Sequence, residues 1–194
     1  MVAATGKAEL RRKILAARQA LCPHTRATEA DHLAGYATTL ATGVPTTCAY
    51  LPMGTEPGSL ALLLALRAAG TRVLLPLTGA RGDRLDWAEF TGAHALQTAR
   101  YGLREPTGPP LGAAAITGAG LVLVPALAVD RLGNRLGRGA GFYDRSLGLA
   151  DPGARLVAVV REVEVLTQLP AEAHDIAVGG ALTPAGLIRL SATL

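Results

Sequence analysis

Leu10, Ile14, Ala17 and Leu21 recur at helical spacing, and Lys7, Arg11 and Arg18 occupy a different, polar side, so the chain is predicted to open with an amphipathic helix. Pro23 stops that helix. A second helix is expected over residues 25–40, with Leu33, Tyr36, Ala37 and Leu40 facing inward and Gly43 and Pro45 ending it. Residues 46–51 read as a short buried strand that empties into a Gly- and Pro-rich loop at 52–58. Ser59 is placed to cap the next helix, which carries Leu60, Leu63, Leu64 and Leu66 and stops at Gly70.

Residues 71–77 form the next predicted strand, followed by a polar turn around Arg81, Gly82 and Asp83 and a strand over 85–90. Residues 91–117 carry no regular period and read as irregular. Leu121, Val122, Leu123 and Val124 make the clearest buried strand in the chain. A Gly- and Arg-rich segment follows, then a helix at about 142–147, a strand over 156–160 and a last strand near 176–182. Strands alternating with helices predict an α/β fold: one three-layer α/β/α sandwich with a largely parallel central sheet, spanning residues 1–194 as a single domain.

Composition narrows the partners. The chain is long enough for a full core, and its 49% apolar content suits a globular protein. A net charge of +4 fits an anionic small molecule as well as nucleic acid. Cys22 and Cys48 have no metal-ligand spacing and read as two unpaired thiols. Lys7, Glu9, Arg11, Arg12 and Lys13 interrupt any signal-peptide core, and the apolar run at 60–66 is too short to span a bilayer. The expectation is a cytoplasmic protein with no membrane partner.

Residues 130–144 hold the strongest chemistry: Asp-Arg-Leu-Gly-Asn-Arg-Leu-Gly-Arg-Gly-Ala-Gly-Phe-Tyr-Asp. The segment leaves a buried strand and enters a helix, the position at which open α/β sheets bind ligands. Gly137, Gly139 and Gly141 let the backbone turn its N–H groups toward an anion, and the following helix adds its own N-terminal N–H groups. Arg131, Arg135 and Arg138 add planar donor forks suited to phosphate or carboxylate. The spacing matches neither a dinucleotide fingerprint nor a P-loop, and a βα turn with water-facing arginines would carry the same residues. Asp144 has two readings: a carboxylate favoured by the helix dipole, or a Mg²⁺ ligand that reconciles it with a bound polyphosphate.

Residues 121–144 closely resemble the signature of the 5-formyltetrahydrofolate cyclo-ligases, also called methenyltetrahydrofolate synthetases. Further segments resemble that family in the same order: Lys7-Ala-Glu-Leu-Arg11, Tyr50-Leu51 through Glu56, Arg100-Tyr-Gly-Leu-Arg-Glu-Pro106, and Leu169-Pro170 through His174-Asp175. The resemblance implies ATP-dependent ring closure with Mg²⁺. The formyl oxygen of 5-formyltetrahydrofolate attacks the γ-phosphate of ATP, and N10 then attacks the activated carbon to expel phosphate.

Carried over by position, the resemblance implies ATP contacts from Lys7, Arg11, Arg135, Gly137, Arg138, Gly139, Ala140, Gly141, Phe142 and Tyr143. Arg138 and Tyr143 are the implied catalytic residues, with Arg138 steadying the transferring phosphoryl group. Leu51, Glu56, Tyr101 and Arg138 are implied in substrate binding, and Asp144 in holding Mg²⁺. A solvated helix face would also account for Lys7 and Arg11, an exposed loop carboxylate for Glu56, and ordinary packing for Leu51 and Tyr101; Trp87 is expected in the core or at the pocket edge. The chain departs from the family pattern at Ala140, where relatives carry Gly or Lys, at Phe142, a frequent Tyr, and at Gly179, where many carry an acid. The departures at Ala140 and Gly179 motivate an alternative, a nucleotide- or folate-binding homologue with impaired catalysis. A third possibility, an RNA-associated adaptor, is disfavoured by an aromatic content of 4%. The expected state is a monomer that binds ATP and 5-formyltetrahydrofolate, with or without a polyglutamate tail, and no nucleic acid.

Overall fold

The computed structural model describes residues 2–78, 84–99, 102–170 and 175–191. The chain begins with α1 (Val2–Ala20) and α2 (Pro23–Leu40). Pro23 occupies the first turn of α2, where a missing N–H costs nothing, so it opens the second helix two residues before the predicted start. Cys22 caps that helix, its sulfur accepting from the Thr25 N–H at 3.4 Å. Leu33 and Ala37 are buried as expected, but Tyr36 is exposed: it lies at the rim of the helix face, with its ring beside Gly186.

β1 (Thr46–Cys48), α3 (Leu60–Ala68) and β2 (Arg72–Leu77) form the first β-α-β crossover. Ser59 caps α3 by accepting from the Ala61 N–H at 3.2 Å. Leu62, Leu63 and Leu66 form the buried face of α3, which turns Leu64 to the opposite side and into solvent. β3 (Asp86–Glu89) follows, and the predicted turn at Arg81-Gly82-Asp83 lies outside the described residues.

The described residues of 91–117 are more regular than their sequence implied. β4 (Leu96–Thr98) and β5 (Arg104–Pro106) pair as an antiparallel ribbon, and Ala113–Gly118 forms short 3-10 turns. Its strands are three residues each, with Gln97 and Thr98 of β4 exposed and Glu105 and Pro106 of β5 buried, so it lacks the apolar alternation that marks a half-buried strand. The remaining elements are β6 (Leu121–Pro125), β7 (Ala128–Asp130), β8 (Arg135–Leu136), α4 (Phe142–Leu147), β9 (Arg155–Val159), β10 (Val165–Leu166), β11 (Gly180–Thr183) and β12 (Gly186–Arg189).

The main sheet has the order β12-β11-β9-β6-β1-β2-β3. β11, β9, β6, β1 and β2 run parallel, and the edge strands β12 and β3 are antiparallel. One face packs on α2 and α3 through Leu33, Leu63, Leu66, Leu123 and Val159. The other carries Cys48, Trp87, Ile116, Val122 and Leu147 beneath the 3-10 turns and α4. The predicted α/β fold with a largely parallel central sheet is therefore the observed one, and Trp87 lies in the core rather than at a pocket edge. Among the described residues no helix is long and apolar enough to cross a membrane.

A second, three-stranded sheet, β10-β7-β8, sits beside the first and receives α1 through Leu10, Ile14 and Leu15. It corrects the reading of residues 130–144 as one anion-binding loop, because their first half is the β7–β8 hairpin. Asp130, fully buried, organises that hairpin: its carboxylate accepts from the backbone N–H groups of Leu132, Asn134 and Leu169 and from the Asn134 side chain, all at 2.9–3.0 Å. Gly133 turns the hairpin at φ +86° and packs against residues 177–178, where a Cβ would collide with the Val178 carbonyl oxygen. Arg131, on the same turn, is exposed.

Gly133→Ala is accordingly expected to destabilise the fold by about 2 kcal/mol or more, because it adds that collision to an unfavourable φ; an unchanged urea midpoint would contradict it. A second expectation concerns alkaline pH. Burial pushes the Cys48 thiol from 9.0 up to about 12 and raises the Tyr50 and Tyr143 hydroxyls. The folded chain keeps these groups protonated where the unfolded chain ionises them, so unfolding releases protons and stability falls as pH rises from about 9 toward 12. Urea midpoints that stay constant between about pH 8 and about pH 10.5 would refute this.

Candidate active site

The direction of the chain reverses at the middle of the main sheet. From β1 it crosses to β2 on one side, and from β6 it crosses to β9 and β11 on the other. A crevice at the carboxyl ends of β1 and β6 is where such sheets bind ligands. Two segments that the sequence singled out emerge there: residues 49–58 after β1, and the glycine loop that follows the β7–β8 hairpin after β6.

The segments meet through a direct contact. Arg138 Nε donates to Glu56 Oε1 at 3.0 Å, with the arginine side chain 51% exposed and the glutamate 13%. The other oxygen of Glu56 accepts from the Met53 N–H at 2.9 Å within its own loop. Glu56 is therefore an anchored, mostly buried carboxylate rather than a solvated one. Leu51 is half-buried against the α2–α3 side of the core, and Tyr101 lies outside the described residues.

α1 reaches the same place along a face the sequence had assigned to solvent. Lys7, Arg11 and Arg18 are four and seven residues apart and so share one side of the helix. That side faces the protein, together with Leu10 and Ile14, whereas Ala17 is exposed. Arg11 Nε donates to the Gly137 carbonyl at 2.9 Å, and its guanidinium lies beside Gly139. Lys7 Nζ is 3.8 Å from Asp175 Oδ2 with both side chains mostly buried; His174 lies outside the described residues. Arg18 is only 1% exposed, and its pairing with Glu164 deep in the protein was not anticipated.

In the glycine loop, Gly139 and Gly141 hold φ of +106° and +71°, the left-handed conformations expected there, whereas Gly137, expected to share them, does not have a positive φ. Gly141 leads into α4, which is pinned by Ser146: its buried Oγ accepts from the Leu85 N–H at 2.8 Å and donates to the Phe142 carbonyl at 2.7 Å. Asp144 in the first turn of α4 pairs with Arg135, which also donates to the Ile176 carbonyl. Arg135 is thus a buried internal cation rather than a water-facing fork. Burial lowers its pKa, while Asp144 and Asp175 counter that effect.

Asp144 is 33% exposed despite its pairing with Arg135. Among the described residues no cluster of three or more His, Cys, Asp or Glu side chains is arranged to hold a metal ion. A carboxylate that keeps one accessible side fits an ion completed by phosphate oxygens and water, as Mg²⁺ prefers, and does not fit an all-protein metal cage. Tyr143 is half-buried, but its hydroxyl is shielded from water and has no hydrogen-bond partner among the described residues. Burial, then Cys48 and Glu56, raise its pKa, and Arg135 opposes them, so the group stays a neutral donor.

Ala140 is exposed, and its carbonyl accepts from Arg145 Nη2 at 3.0 Å. The same guanidinium lies 5.5 Å from the centroid of the Phe142 ring. Arg145, which the sequence reading passed over, thereby puts a cation beside the position where the loop lacks a lysine. Gly179 lies immediately before β11, its N–H bonded to the Leu156 carbonyl, and contributes no carboxylate.

Residues 3–184 match the model of the 5-formyltetrahydrofolate cyclo-ligase family. A protein of Mycolicibacterium smegmatis named 5-formyltetrahydrofolate cyclo-ligase is 47% identical over 191 residues, covering 95% of this chain and 97% of the relative. The NMR structure of Aquifex aeolicus 5,10-methenyltetrahydrofolate synthetase superposes with a TM-score of 0.76 at 25% identity, covering 97% of this chain and 94% of that one. The 5,10-methenyltetrahydrofolate synthetase of Mycoplasma pneumoniae shares the fold, with a TM-score of 0.73 at 16% identity over 92% of this chain and 98% of that one. With the family model spanning nearly its whole length and a relative 47% identical over 95% of it, the chain belongs to the 5-formyltetrahydrofolate cyclo-ligase family.

Proposed function

We propose that the chain converts 5-formyltetrahydrofolate to 5,10-methenyltetrahydrofolate in an ATP- and Mg²⁺-dependent reaction that releases ADP and phosphate. The observation that carries this reading is the Glu56–Arg138 contact at the strand ends. It brings a carboxylate suited to the N–H donors of a pterin within one hydrogen bond of a guanidinium suited to phosphate. A folate and a nucleotide held by those two groups would have their reacting ends adjacent, as a transfer between them requires.

An amide oxygen is a poor leaving group, and phosphorylation turns it into a good one. In the proposed sequence the formyl oxygen attacks the γ-phosphorus and ADP departs. N10 then attacks the activated formyl carbon, and phosphate leaves to give the methenyl ring. The protein's contribution to such a transfer is alignment and charge neutralisation. Arg11, with Lys7 one turn before it, brings positive charge to the glycine loop, whose residues from Gly137 to Gly141 would lie along the nucleotide phosphates. Arg138 would leave Glu56 to follow the transferring phosphoryl group. Tyr143, a neutral donor without a partner, would hydrogen-bond a substrate oxygen. Asp144 would hold Mg²⁺, which supplies charge neutralisation at the phosphates, and Arg135 would fix the orientation of Asp144.

The alternative, a binding homologue with impaired catalysis, rests on Ala140 and Gly179. Arg145 weakens the first ground by supplying a cation at the loop, and Asp144 leaves one carboxylate for the metal. The deciding measurement is the methenyl chromophore formed from 5-formyltetrahydrofolate with Mg²⁺, with and without ATP. Absence of signal from folded protein that still binds ATP would favour the alternative.

Two variants test the roles. Arg138→Ala should lower kcat by about 100-fold or more with a smaller change in folate affinity, because its charge matters most during transfer; an unchanged kcat would contradict that role. Asp144→Asn should raise the Mg²⁺ concentration for half-maximal activity roughly tenfold or more, since losing a group that merely orients a metal ligand can cost that much. Unaltered metal dependence in the folded variant would remove Asp144 from the metal site.

A further inference from the structure

Behind the loop that carries Glu56 lies a cluster of four charged side chains which the proposed reaction does not use. Arg161, just past the carboxyl end of β9, has a side chain 5% exposed. Its Nε donates to Glu29 Oε2 of α2 at 2.7 Å, its Nη1 lies 3.7 Å from Glu164 Oε1, and the same Nη1 donates to the Thr55 carbonyl at 3.3 Å. Glu164 accepts from Arg18 Nε and Nη2, both at 2.7 Å, and from the Arg161 backbone N–H at 2.8 Å. Arg18 continues to the Ala126 carbonyl at 2.8 Å, one residue past β6. Two cations and two carboxylates thus join α1, α2, the end of β6 and the turn after β9.

Such a cluster is a poor source of net stability, because well-packed apolar residues of similar volume often do as well or better. Its location is more informative. Thr55 is the residue before Glu56, and among the described residues the Arg161–Thr55 hydrogen bond is the one tie from this cluster to the loop. Among the described residues, the other hydrogen bonds of residues 53–58 run within residues 50–58 or to Arg138. Met53 holds Glu56 within the turn, and Tyr50 donates to the Pro57 carbonyl at 3.2 Å from the same segment. Arg138 must release Glu56 if it is to meet a phosphate.

We propose that Arg161 is a positioning residue for folate binding: it fixes the backbone at Thr55 so that Glu56 keeps its place after Arg138 turns to the nucleotide. This rests on the folate-binding role given to Glu56. The predicted signature is selective. Folate recognition weakens while nucleotide recognition and the transfer step persist, because among the described residues no hydrogen bond or ion pair runs from Arg161 or Glu29 to the glycine loop or α4.

The test is steady-state kinetics of Arg161→Met, Arg161→Lys, Glu29→Gln and Glu56→Gln, varying each substrate in turn, with circular dichroism and thermal melts to establish folding. Arg161→Met is expected to raise KM for 5-formyltetrahydrofolate about tenfold, with kcat and KM for ATP changing less than about twofold. Arg161→Lys and Glu29→Gln should show the same split at smaller size. On a Glu56→Gln background, Arg161→Met should add less than about a further twofold, because the group it positions is already impaired. Parallel losses in kcat and both KM values, or a full effect that persists on the Glu56→Gln background, would overturn the inference. If Arg161→Met does not fold, Glu29→Gln decides: the same split supports the proposal and its absence overturns it. A Glu56→Gln enzyme with unchanged folate KM would remove the folate role of Glu56 and this inference together. A raised folate KM in Glu56→Gln with none in the Arg161 and Glu29 variants would remove the inference alone.

Discussion

Arg18 enters the protein with 1% of its surface left to solvent, and a cation so placed requires a partner buried with it. Glu164 meets that requirement through both carboxylate oxygens. The pairing fixes the rotation of α1 about its own axis. Once Arg18 points inward, Arg11 and Lys7 must follow, because residues four and seven apart share a helix face. Arg11 then reaches the Gly137 carbonyl, and Lys7 reaches Asp175. A pairing at one end of the helix thereby sets which charges the other end presents to the glycine loop.

The same economy of charge governs the crevice. Arg138 pairs with Glu56 and Lys7 with Asp175, each joining segments distant in sequence, and Arg135 pairs with Asp144 nine residues on. Internal counter-charges let cations converge on one place, where alone they would repel one another. On the proposed reading, a polyphosphate would exchange with these carboxylates rather than enter an unscreened positive cavity. The pairs differ in how readily they could exchange. Arg138 is half exposed and held to Glu56 by one hydrogen bond, whereas Arg135 is almost wholly buried and has a second acceptor at Ile176. Arg138 is the member of the set free to move toward a ligand, and Arg135 is the one that stays.

The layered fold was legible because its signals are local. Ser59 caps α3, Gly70 ends it, and the Leu121–Val124 run has the uninterrupted apolar character of a strand buried on both faces. What escaped depends on distant partners. β7 and β8 are three and two residues long, too short for any period, and they exist because Asp130 gathers N–H groups from positions 132, 134 and 169. The inward face of α1 was misread because periodicity assigns charge to solvent, and only the position of Glu164 in the fold reverses that assignment. Signature resemblance supplied the residues of the site, but it could not supply their pairing. Arg135 looked like Arg138 in the sequence, and burial alone separates their roles.

Dividing residues 130–144 into a hairpin and a loop also changes how the departures from the family pattern weigh. The hairpin half is committed to packing: Gly133 lies against Val178, and the Asp130 carboxylate is satisfied by the chain itself. Only the stretch from Gly137 onward is available to a ligand, and there Ala140 is a solvent-facing position whose side chain holds nothing in place. A substitution at such a point alters local charge without disturbing the backbone geometry that Gly139 and Gly141 establish. Arg145, one helical turn into α4, brings charge back to the Ala140 carbonyl. The loop therefore retains both elements that anion binding requires, a backbone turned by glycines and cations converging from α1, α4 and the loop itself, although one of those cations comes from a different position.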